Sequence, residues 1–323
     1  MSSIKKSQVC NLPPETKLIG KWHKRPYKIV RELGNGATGT VYLADSPEGL
    51  VAIKMGLNSM AITSEVNVLK HFSKVQGQVL GPSLIDVDDW VTPEGTIPFY
   101  VMEYLNGQDL FTFVSGKGSE WIGIFMVQLL GDLDRLHQAG WVFGDLKPDN
   151  LIIVGPPPRI RWLDVGGTTL LGRSVKEYTE FYDRGYWGLG TRKAEPTYDL
   201  FAVAMIIINI CYQNRFEKNG EGIKQLKEKI QRKPILKQYD IILLNALQGK
   251  YENAQLMKKE VVESISRSTN ATVHNNKKQI IRKKQVDKPK RRGKEKTSGI
   301  METFLFASFL LLAYILYLFG QMM

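Results

Sequence analysis

The chain has 323 residues, 43% of them hydrophobic and 10% aromatic, which is enough to bury a substantial core in one large domain or two small ones. Its formal net charge is +12, but the segment from Lys277 to Lys296 holds eleven basic residues against two acids and so carries +9, leaving the rest nearly neutral. The two cysteines, Cys10 and Cys211, have no metal-ligand or paired spacing around them, which excludes a disulfide framework and a zinc site.

Composition divides the chain into four zones. Residues 1–26 are polar and contain no apolar run of signal-peptide length, so they are predicted to form a loosely attached lead-in. Residues 27–252 mix strand-like and helix-like periodicity and form the predicted globular domain. Residues 253–299 have no aromatic residues and are rich in Ser, Asn, Lys and Arg, which predicts a flexible basic linker. Residues 300–323 form the predicted membrane anchor.

The last 21 residues, Thr303 to Met323, contain no charged side chain. That length is enough for a helix crossing about 30 Å of hydrocarbon. The alternative is a buried C-terminal helix, but Phe, Leu and Ile would lie on every face of it. Because basic flanks stay on the cytoplasmic side, the cationic stretch before this segment predicts a single-pass protein with a cytoplasmic body.

Within the globular zone, alternating apolar residues between positions 27 and 56 predict three antiparallel strands, with a turn at residues 46–49. Two further strands are predicted at 84–91 and 98–104, joined by a turn at 92–95. Helical spacing of apolar residues predicts helices at 60–72, 119–139 and 201–211. A small antiparallel sheet followed by a helical region outlines two lobes.

A glycine-rich segment lies between the first two predicted strands. Its candidate ligand-binding residues are Gly34, Asn35, Gly36, Ala37, Thr38, Gly39 and Val41. The same glycine spacing occurs in dinucleotide-binding folds, but there a helix must follow, whereas β-branched, alternating residues follow here. Glycines in such a hairpin let main-chain N–H groups approach a phosphate closely. A tight hairpin that binds no ligand is the alternative.

Lys54 ends an apolar strand thirteen residues after Val41. A lysine at this position after a glycine-rich hairpin is predicted to contact the α- and β-phosphates of a nucleotide. Glu65 is the only acid between Lys54 and Asp86, and it lies on a predicted helix. It is therefore the candidate partner that fixes the Lys54 ammonium group.

The segment from Leu136 to Asn150 contains an aspartate, Asp145, with a lysine two residues later and an asparagine five residues later. Fourteen residues beyond Asn150, Asp164 begins an Asp-Val-Gly sequence at the end of a predicted strand. Together with the glycine-rich hairpin and Lys54, these motifs resemble the eukaryotic-like (Hanks-type) serine/threonine protein kinases over residues 27–213. The resemblance implies an α+β bilobal protein-kinase-like fold, with a small antiparallel-sheet N-lobe and a mainly helical C-lobe. The transmembrane helix predicted above would follow it.

The resemblance also implies a role for each matching residue, with ATP and Mg²⁺ as cofactors and protein Ser/Thr hydroxyls as acceptors. Phosphoryl transfer needs positioning and charge neutralisation more than covalent help. Carboxylate and amide oxygens are ligands suited to Mg²⁺. The implied metal ligands are Asn150 and Asp164, the catalytic residues Asp145 and Lys147, and the adenine-pocket and hinge residues Met102, Glu103 and Leu105.

The sequence departs from the family at the two residues before Asp145, where Phe143 and Gly144 replace the usual His-Arg. Phe143 can fill an apolar slot. The missing arginine normally pairs with a phosphate on the activation segment, so activity is predicted not to depend on one. Joint replacement of four threonines in that segment by alanine is expected to leave most activity: Thr168, Thr169, Thr179 and Thr191.

Further positions are predicted to be structural. The Ala-Pro-Glu that closes the family's activation segment is absent, and residues 193–196 only echo it. Asp199 matches the family's anchor for the catalytic loop, and His137 is predicted to pack or cap rather than to catalyse.

Two alternative functions stay open from the sequence. Gly144-Asp145 also resembles small-molecule kinases such as the aminoglycoside phosphotransferases, although these lack a lysine at the position of Lys147. A catalytically dead kinase fold acting as an adaptor is the second alternative. The presence of Lys54, Asp145, Asn150 and Asp164 argues against it.

The cationic linker is a candidate polyanion-binding segment. Ten of its basic residues are predicted to bind the polyanion: Lys277, Lys278, Arg282, Lys283, Lys284, Lys288, Lys290, Arg291, Arg292 and Lys294. One interpretation is a topology signal that also contacts anionic lipid. The other is sequence-independent binding of double-stranded DNA through phosphates, which would gather copies, as a homodimer or larger group, for phosphorylation of one another. The candidate acceptors just upstream are Ser264, Ser266, Ser268, Thr269 and Thr272. This layout is similar to that of membrane-anchored kinases of spore-forming bacteria without external repeat domains.

Overall fold

The structure is a computed structural model that describes residues 12–36, 38–73, 80–118 and 120–267. The chain divides into two units, Met1–Ser268 and Thr269–Met323, and the described residues all belong to the first. Ala37, the ten basic linker residues and the predicted membrane anchor lie outside them. Among the described residues, no helix combines the length and the apolar character needed to span a bilayer.

The first part of the described chain forms an antiparallel sheet with strand order β1-β2-β3-β4-β6-β5. The strands are β1 Lys17–Ile19, β2 Pro26–Gly36, β3 Gly39–Ser46, β4 Gly49–Met55, β5 Leu84–Thr92 and β6 Gly95–Glu103. The five predicted strands and both predicted turns are confirmed. Strand β1 lies in the predicted lead-in, and it belongs to the sheet because its central residue, Leu18, is fully buried.

Helix α1, Ser59–Phe72, packs on this sheet. The side chain of Asn58 caps it by accepting hydrogen bonds from the amides of Met60 and Ala61, which satisfies two of the free N–H groups at a helix start. Its buried residues recur at helical spacing, and most are apolar. Glu65 lies within that buried face, so the helix carries its carboxylate into the interior.

The rest of the described chain is a mainly helical lobe. Its helices are α2 Leu110–Lys117, α3 Glu120–Gln138, α4 Arg184–Trp187, α5 Pro196–Tyr212, α6 Gly222–Arg232, α7 Pro234–Lys237, α8 Asp240–Leu247 and α9 254–267. Its short strands are β7 Trp141–Val142, β8 Leu151–Val154, β9 Arg159–Trp162 and β10 Thr169–Leu170, paired as β8 with β9 and β7 with β10. Helix α5 runs through the core, since every residue from Tyr198 to Ile210 is buried. The predicted long and buried helices are confirmed.

Helix α9 differs from the flexible linker predicted to begin at residue 253. Ala254, Met257 and Val261 recur at helical spacing and are fully buried, so the folded body continues to residue 267. The composition of this segment misled the prediction because only a narrow stripe is apolar, and the remaining positions are Lys, Glu, Ser and Arg.

Neighbouring residues on α9 test this assignment. We expect Met257→Ala to lower the free energy of unfolding by roughly 2–5 kcal/mol, because it leaves a cavity in a packed core. The control is Leu256→Ala, since Leu256 is 45% exposed whereas Met257 is 0% exposed; it should change stability by about 0.5 kcal/mol or less. Urea unfolding measures both, and equal small effects would mean that α9 does not pack on the body.

Candidate active site

A cavity of about 1030 Å³ lies between the sheet and the helical lobe. It is lined by most of the predicted ligand-binding and catalytic residues: Gly34, Asn35, Gly36, Thr38, Gly39, Val41, Lys54, Met102, Glu103, Leu105, Asp145, Lys147, Asn150 and Asp164. Glu65 does not line it but lies directly behind Lys54. Residues predicted from motifs scattered over more than a hundred positions therefore converge on one cleft.

The glycine-rich segment is a hairpin between β2 and β3, as predicted. Asn35 pairs with Thr40 and Gly36 with Gly39 across it, and the side-chain amide of Asn35 donates to Thr40 Oγ1 at 3.1 Å. Gly39 has a φ of 150°, and a Cβ there would lie 2.3 Å from the carbonyl oxygen of Met55. The close approach of the main chain at Gly39 to that at Met55 therefore requires glycine at this position.

Lys54 forms the predicted ion pair with Glu65, with 2.7 Å between Nζ and Oε2. Both side chains are almost completely buried, and Lys54 Nζ also lies 3.5 Å from Asp164 Oδ2. A buried charge is tolerated when a partner of opposite sign holds it. The pair fixes the ammonium group at the inner wall of the cavity, next to one predicted metal ligand.

Asp199 fixes the predicted catalytic loop, the segment from Leu136 to Asn150, through its side chain. Its carboxylate is fully buried and accepts hydrogen bonds from the main-chain amides of Phe143 at 2.8 Å and Gly144 at 3.0 Å. Nε2 of His137 lies 2.9 Å from the same carboxylate. Phe143 packs edge-on against Trp162, with ring centroids 4.9 Å apart. The structural roles predicted for Asp199, His137 and Phe143 are therefore confirmed by geometry.

The side chains of the catalytic loop form a connected polar group. Lys147 Nζ contacts Asp145 Oδ2, and the amide of Asn150 donates to the main-chain oxygen of Asp145 at 2.8 Å. Thr179 Oγ1 donates to Asp145 Oδ1 at 2.9 Å and accepts from Lys147 Nζ at 3.1 Å. Thr179 thus touches both predicted catalytic residues.

Asn150 and Asp164 offer oxygen ligands on the cavity wall. Asn150 uses its amide nitrogen in the loop, so its carbonyl oxygen remains for a ligand. Asp164 is 46% exposed at its side chain, and its Oδ1 accepts the amide of Gly166 at 2.8 Å. Partial burial and the charges of Asp164 and Asp145 raise the pKa of nearby Glu177. The cleft therefore has an excess of negative charge, and a hard divalent cation such as Mg²⁺ fits both the charge and the donor set.

Glu103 anchors the predicted hinge with its side chain. Its Oε2 accepts hydrogen bonds from Arg161 Nη2 at 2.9 Å and from the amide of Ser83 at 3.1 Å. Burial opposes ionisation of Glu103, but the bonds from Arg161 and Ser83 outweigh it and lower the pKa. Arg161 also donates to the carbonyl oxygen of Gly81 at 2.9 Å, so this arginine of the helical lobe binds two points of the sheet lobe.

The activation segment is ordered by contacts within the protein. The amide of Val175 donates to the carbonyl of Arg192 at 2.9 Å, and that of Ala194 to the carbonyl of Arg173 at 2.7 Å. The buried carboxylate of Asp183 lies 2.7 Å from Arg192 Nη2. These bonds, between residues of the chain itself, connect the two ends of the segment.

Residues 27–292 match the family model described as protein kinase domain. The chain belongs to the protein kinase family. Over 266 residues it is 53% identical to the serine/threonine-protein kinase YabT of Bacillus subtilis, covering 82% of this chain and 79% of that protein. It is 26% identical over 221 residues to PrkC of the same organism, covering 64% and 33%. Over 141 residues it is 25% identical to the cAMP-dependent protein kinase catalytic subunit 3 of Drosophila melanogaster, covering 42% and 24%.

This kinase is therefore an ATP-dependent serine/threonine kinase of the bacterial Hanks type, as the motifs predicted, and the family uses ATP with Mg²⁺. The match with a protein kinase over most of the chain decides against the aminoglycoside-type phosphotransferase.

The position of Thr179 differs from that of the other activation-segment threonines. Thr168 and Thr169 are 0% and 1% exposed, so they are inaccessible to a kinase, whereas Thr191 is exposed. Thr179 does not belong with them, because its hydroxyl bridges Asp145 and Lys147. Motif spacing does not separate it from its neighbours, since its contact with Asp145 joins positions 34 residues apart.

We expect Thr179→Ala to lower kcat by about tenfold or more, because two charged groups, Asp145 and Lys147, each lose their hydrogen bond with the Thr179 hydroxyl. Thr179→Ser keeps the hydroxyl and should retain most of the rate. The matched control is Thr191→Ala, which should behave as the wild type. Steady-state phosphorylation of a protein substrate measures all three, and full activity of Thr179→Ala would show that the bridge is dispensable.

Proposed function

We propose that the residues lining the cleft transfer the γ-phosphoryl group of ATP to a Ser or Thr hydroxyl in the roles that their geometry favours. Asp145 would accept a hydrogen bond from the acceptor hydroxyl and orient its oxygen toward the phosphorus. Lys147 would neutralise charge on the transferred group, and Thr179 would keep Asp145 and Lys147 in register. The support is a single observation: Lys54, Asp145 and Asp164 line one cavity together with Asn150.

Lys54, held by Glu65 at 2.7 Å, would contact the α- and β-phosphates under the glycine hairpin. Asn150 and Asp164 would hold Mg²⁺, which would supply positive charge to neutralise the phosphates. Met102 and Leu105 would enclose the adenine. The carboxylate of Glu103 is occupied by Arg161, so this residue would shape the hinge rather than bind nucleotide with its side chain.

Replacing the proposed base tests these roles. We expect Asp145→Asn to lower phosphorylation from labelled ATP by about 10²–10⁴-fold, because proton acceptance and orientation of the hydroxyl are lost. Binding of Mg·ATP should persist. Asp134→Asn on α3, outside the cavity lining, is the control and should leave the rate unchanged. A wild-type rate for Asp145→Asn would overturn the role proposed for Asp145. Phosphorylation that no cleft variant changes would instead favour a catalytically dead adaptor.

We also propose that residues 303–323 anchor the kinase in a membrane with its body on the cytoplasmic side. The support is the run of 21 uncharged residues and the +9 segment that precedes it. The relative YabT is named a serine/threonine-protein kinase, which says nothing of a membrane, so the proposal rests on this chain's own sequence.

The basic linker is proposed to bind double-stranded DNA through its phosphates and to gather copies that phosphorylate one another. The net charge of +9 between Lys277 and Lys296 in this linker is larger than is needed to set the orientation of a membrane helix. Among the upstream acceptors, Ser264 and Ser266 lie in helix α9, where Ser266 donates to Val262 O at 2.9 Å. An acceptor has to lie extended in the cleft, so Ser268, Thr269 and Thr272 are the better candidates, and they lie outside the described residues.

A salt titration tests the linker. If six to ten phosphates are contacted, the affinity of the full chain for duplex DNA should fall about 10³–10⁵-fold between 50 and 200 mM salt. Replacing the ten basic linker residues by Gln should abolish binding, measured by fluorescence anisotropy. The control replaces the exposed Lys224, Lys227 and Arg232 of α6 by Gln and should leave it intact. Salt-independent binding, or binding only to anionic vesicles, would contradict the DNA proposal.

A further inference from the structure

Tyr100 and Lys54 are direct neighbours on adjacent strands of the sheet. Tyr100 lies on β6 and Lys54 on β4, and the two positions pair in register. The hydroxyl of Tyr100 donates to Glu65 Oε2 at 2.8 Å, and Lys54 Nζ lies 2.7 Å from the same oxygen. One oxygen of a helix residue is therefore held by side chains from two strands.

The second carboxylate oxygen of Glu65, Oε1, is buried and has no hydrogen-bond partner within the described part of the chain. All three side chains are nearly inaccessible, with residue exposures of 2% for Glu65, 3% for Lys54 and 2% for Tyr100. A buried carboxylate is costly unless it is hydrogen-bonded. Tyr100 and Lys54 thus carry the polar stabilisation of Glu65 between them.

The two donors, Lys54 and Tyr100, differ in their other interactions. Lys54 is shared, because Asp164 Oδ2 lies 3.5 Å from its Nζ and the proposed function gives it nucleotide phosphates as well. The hydroxyl of Tyr100, a residue that also lines the cavity, is directed to Glu65. Burial and the charges of Glu65 and Asp164 raise the pKa of Tyr100 well above its usual value, so the hydroxyl remains a donor throughout the neutral range.

We propose that Tyr100 is a positioning residue for nucleotide binding: its hydroxyl holds the Glu65 carboxylate in place so that Lys54 is presented to the phosphates. The inference rests on the proposed role of Lys54. Among the described residues, the side-chain hydrogen bond of Tyr100 and the ion pair of Lys54 are the polar links from helix α1 to the sheet. When Lys54 turns toward a phosphate, the hydroxyl still fixes α1.

Tyr100→Phe removes only the hydroxyl and keeps the buried ring. We expect KM for ATP to rise about tenfold, the scale of one hydrogen bond to a charged group, while KM for the protein substrate stays unchanged. Tyr27→Phe is the matched control, because Tyr27 is also a buried tyrosine of the sheet and donates to the carboxylate of Asp86 at 2.9 Å. It should leave KM for ATP at the wild-type value, since Tyr27 is not among the described residues that line the cavity.

A second comparison separates positioning from a general loss of packing. In a Glu65→Gln background, Tyr100→Phe should add less than about twofold to KM for ATP, because coupled residues have non-additive effects. A fully additive effect, or an unchanged KM for Tyr100→Phe in the native background, would overturn the inference while leaving the kinase assignment intact. Failure of the wild-type chain to bind Mg·ATP would overturn the proposed roles of the cleft as well.

Discussion

The carboxylate of Asp199 lies fully buried near the start of α5, and it binds the amides of Phe143 and Gly144. Those two residues immediately precede Asp145, so the position of this proposed catalytic aspartate depends on a contact with helix α5. A charge buried at such depth is tolerable only with good geometry and several donors. That requirement makes the arrangement specific, because a shifted loop would leave the carboxylate without its donors.

Buried carboxylates held by several donors also occur in helix α1 and in the activation segment. Glu65 carries the charge of helix α1 into the sheet, and Asp183 holds the activation segment through Arg192 and the hydroxyl of Tyr198, 2.9 Å away. In each case a buried acid binds donors that are distant in sequence. Tertiary contacts of this kind connect the activation segment to the helical lobe.

Motif chemistry predicted Lys54, Asp145, Asn150 and Asp164, because phosphate and metal binding need particular residue types at positions set by the strands and loops around them. Glu65 followed by elimination, as the only acid on its helix. Sequence motifs did not predict Thr179 and Tyr100, because their contacts join positions 34 and 35 residues apart and no local motif includes them. Strand β1 and helix α9 were missed for another reason: a three-residue strand is too short for periodicity, and a narrow apolar stripe is hidden by polar composition.

Arg161 binds both Glu103 and Gly81, so it ties the two lobes together on the hinge side. Opening there would break hydrogen bonds to charged groups, each worth about 1.5–3 kcal/mol. Gly34, Asn35 and Gly36 line the same cavity and are exposed. A nucleotide in the cavity is therefore enclosed on the hinge side, and the side lined by Gly34, Asn35 and Gly36 is where it would enter and leave.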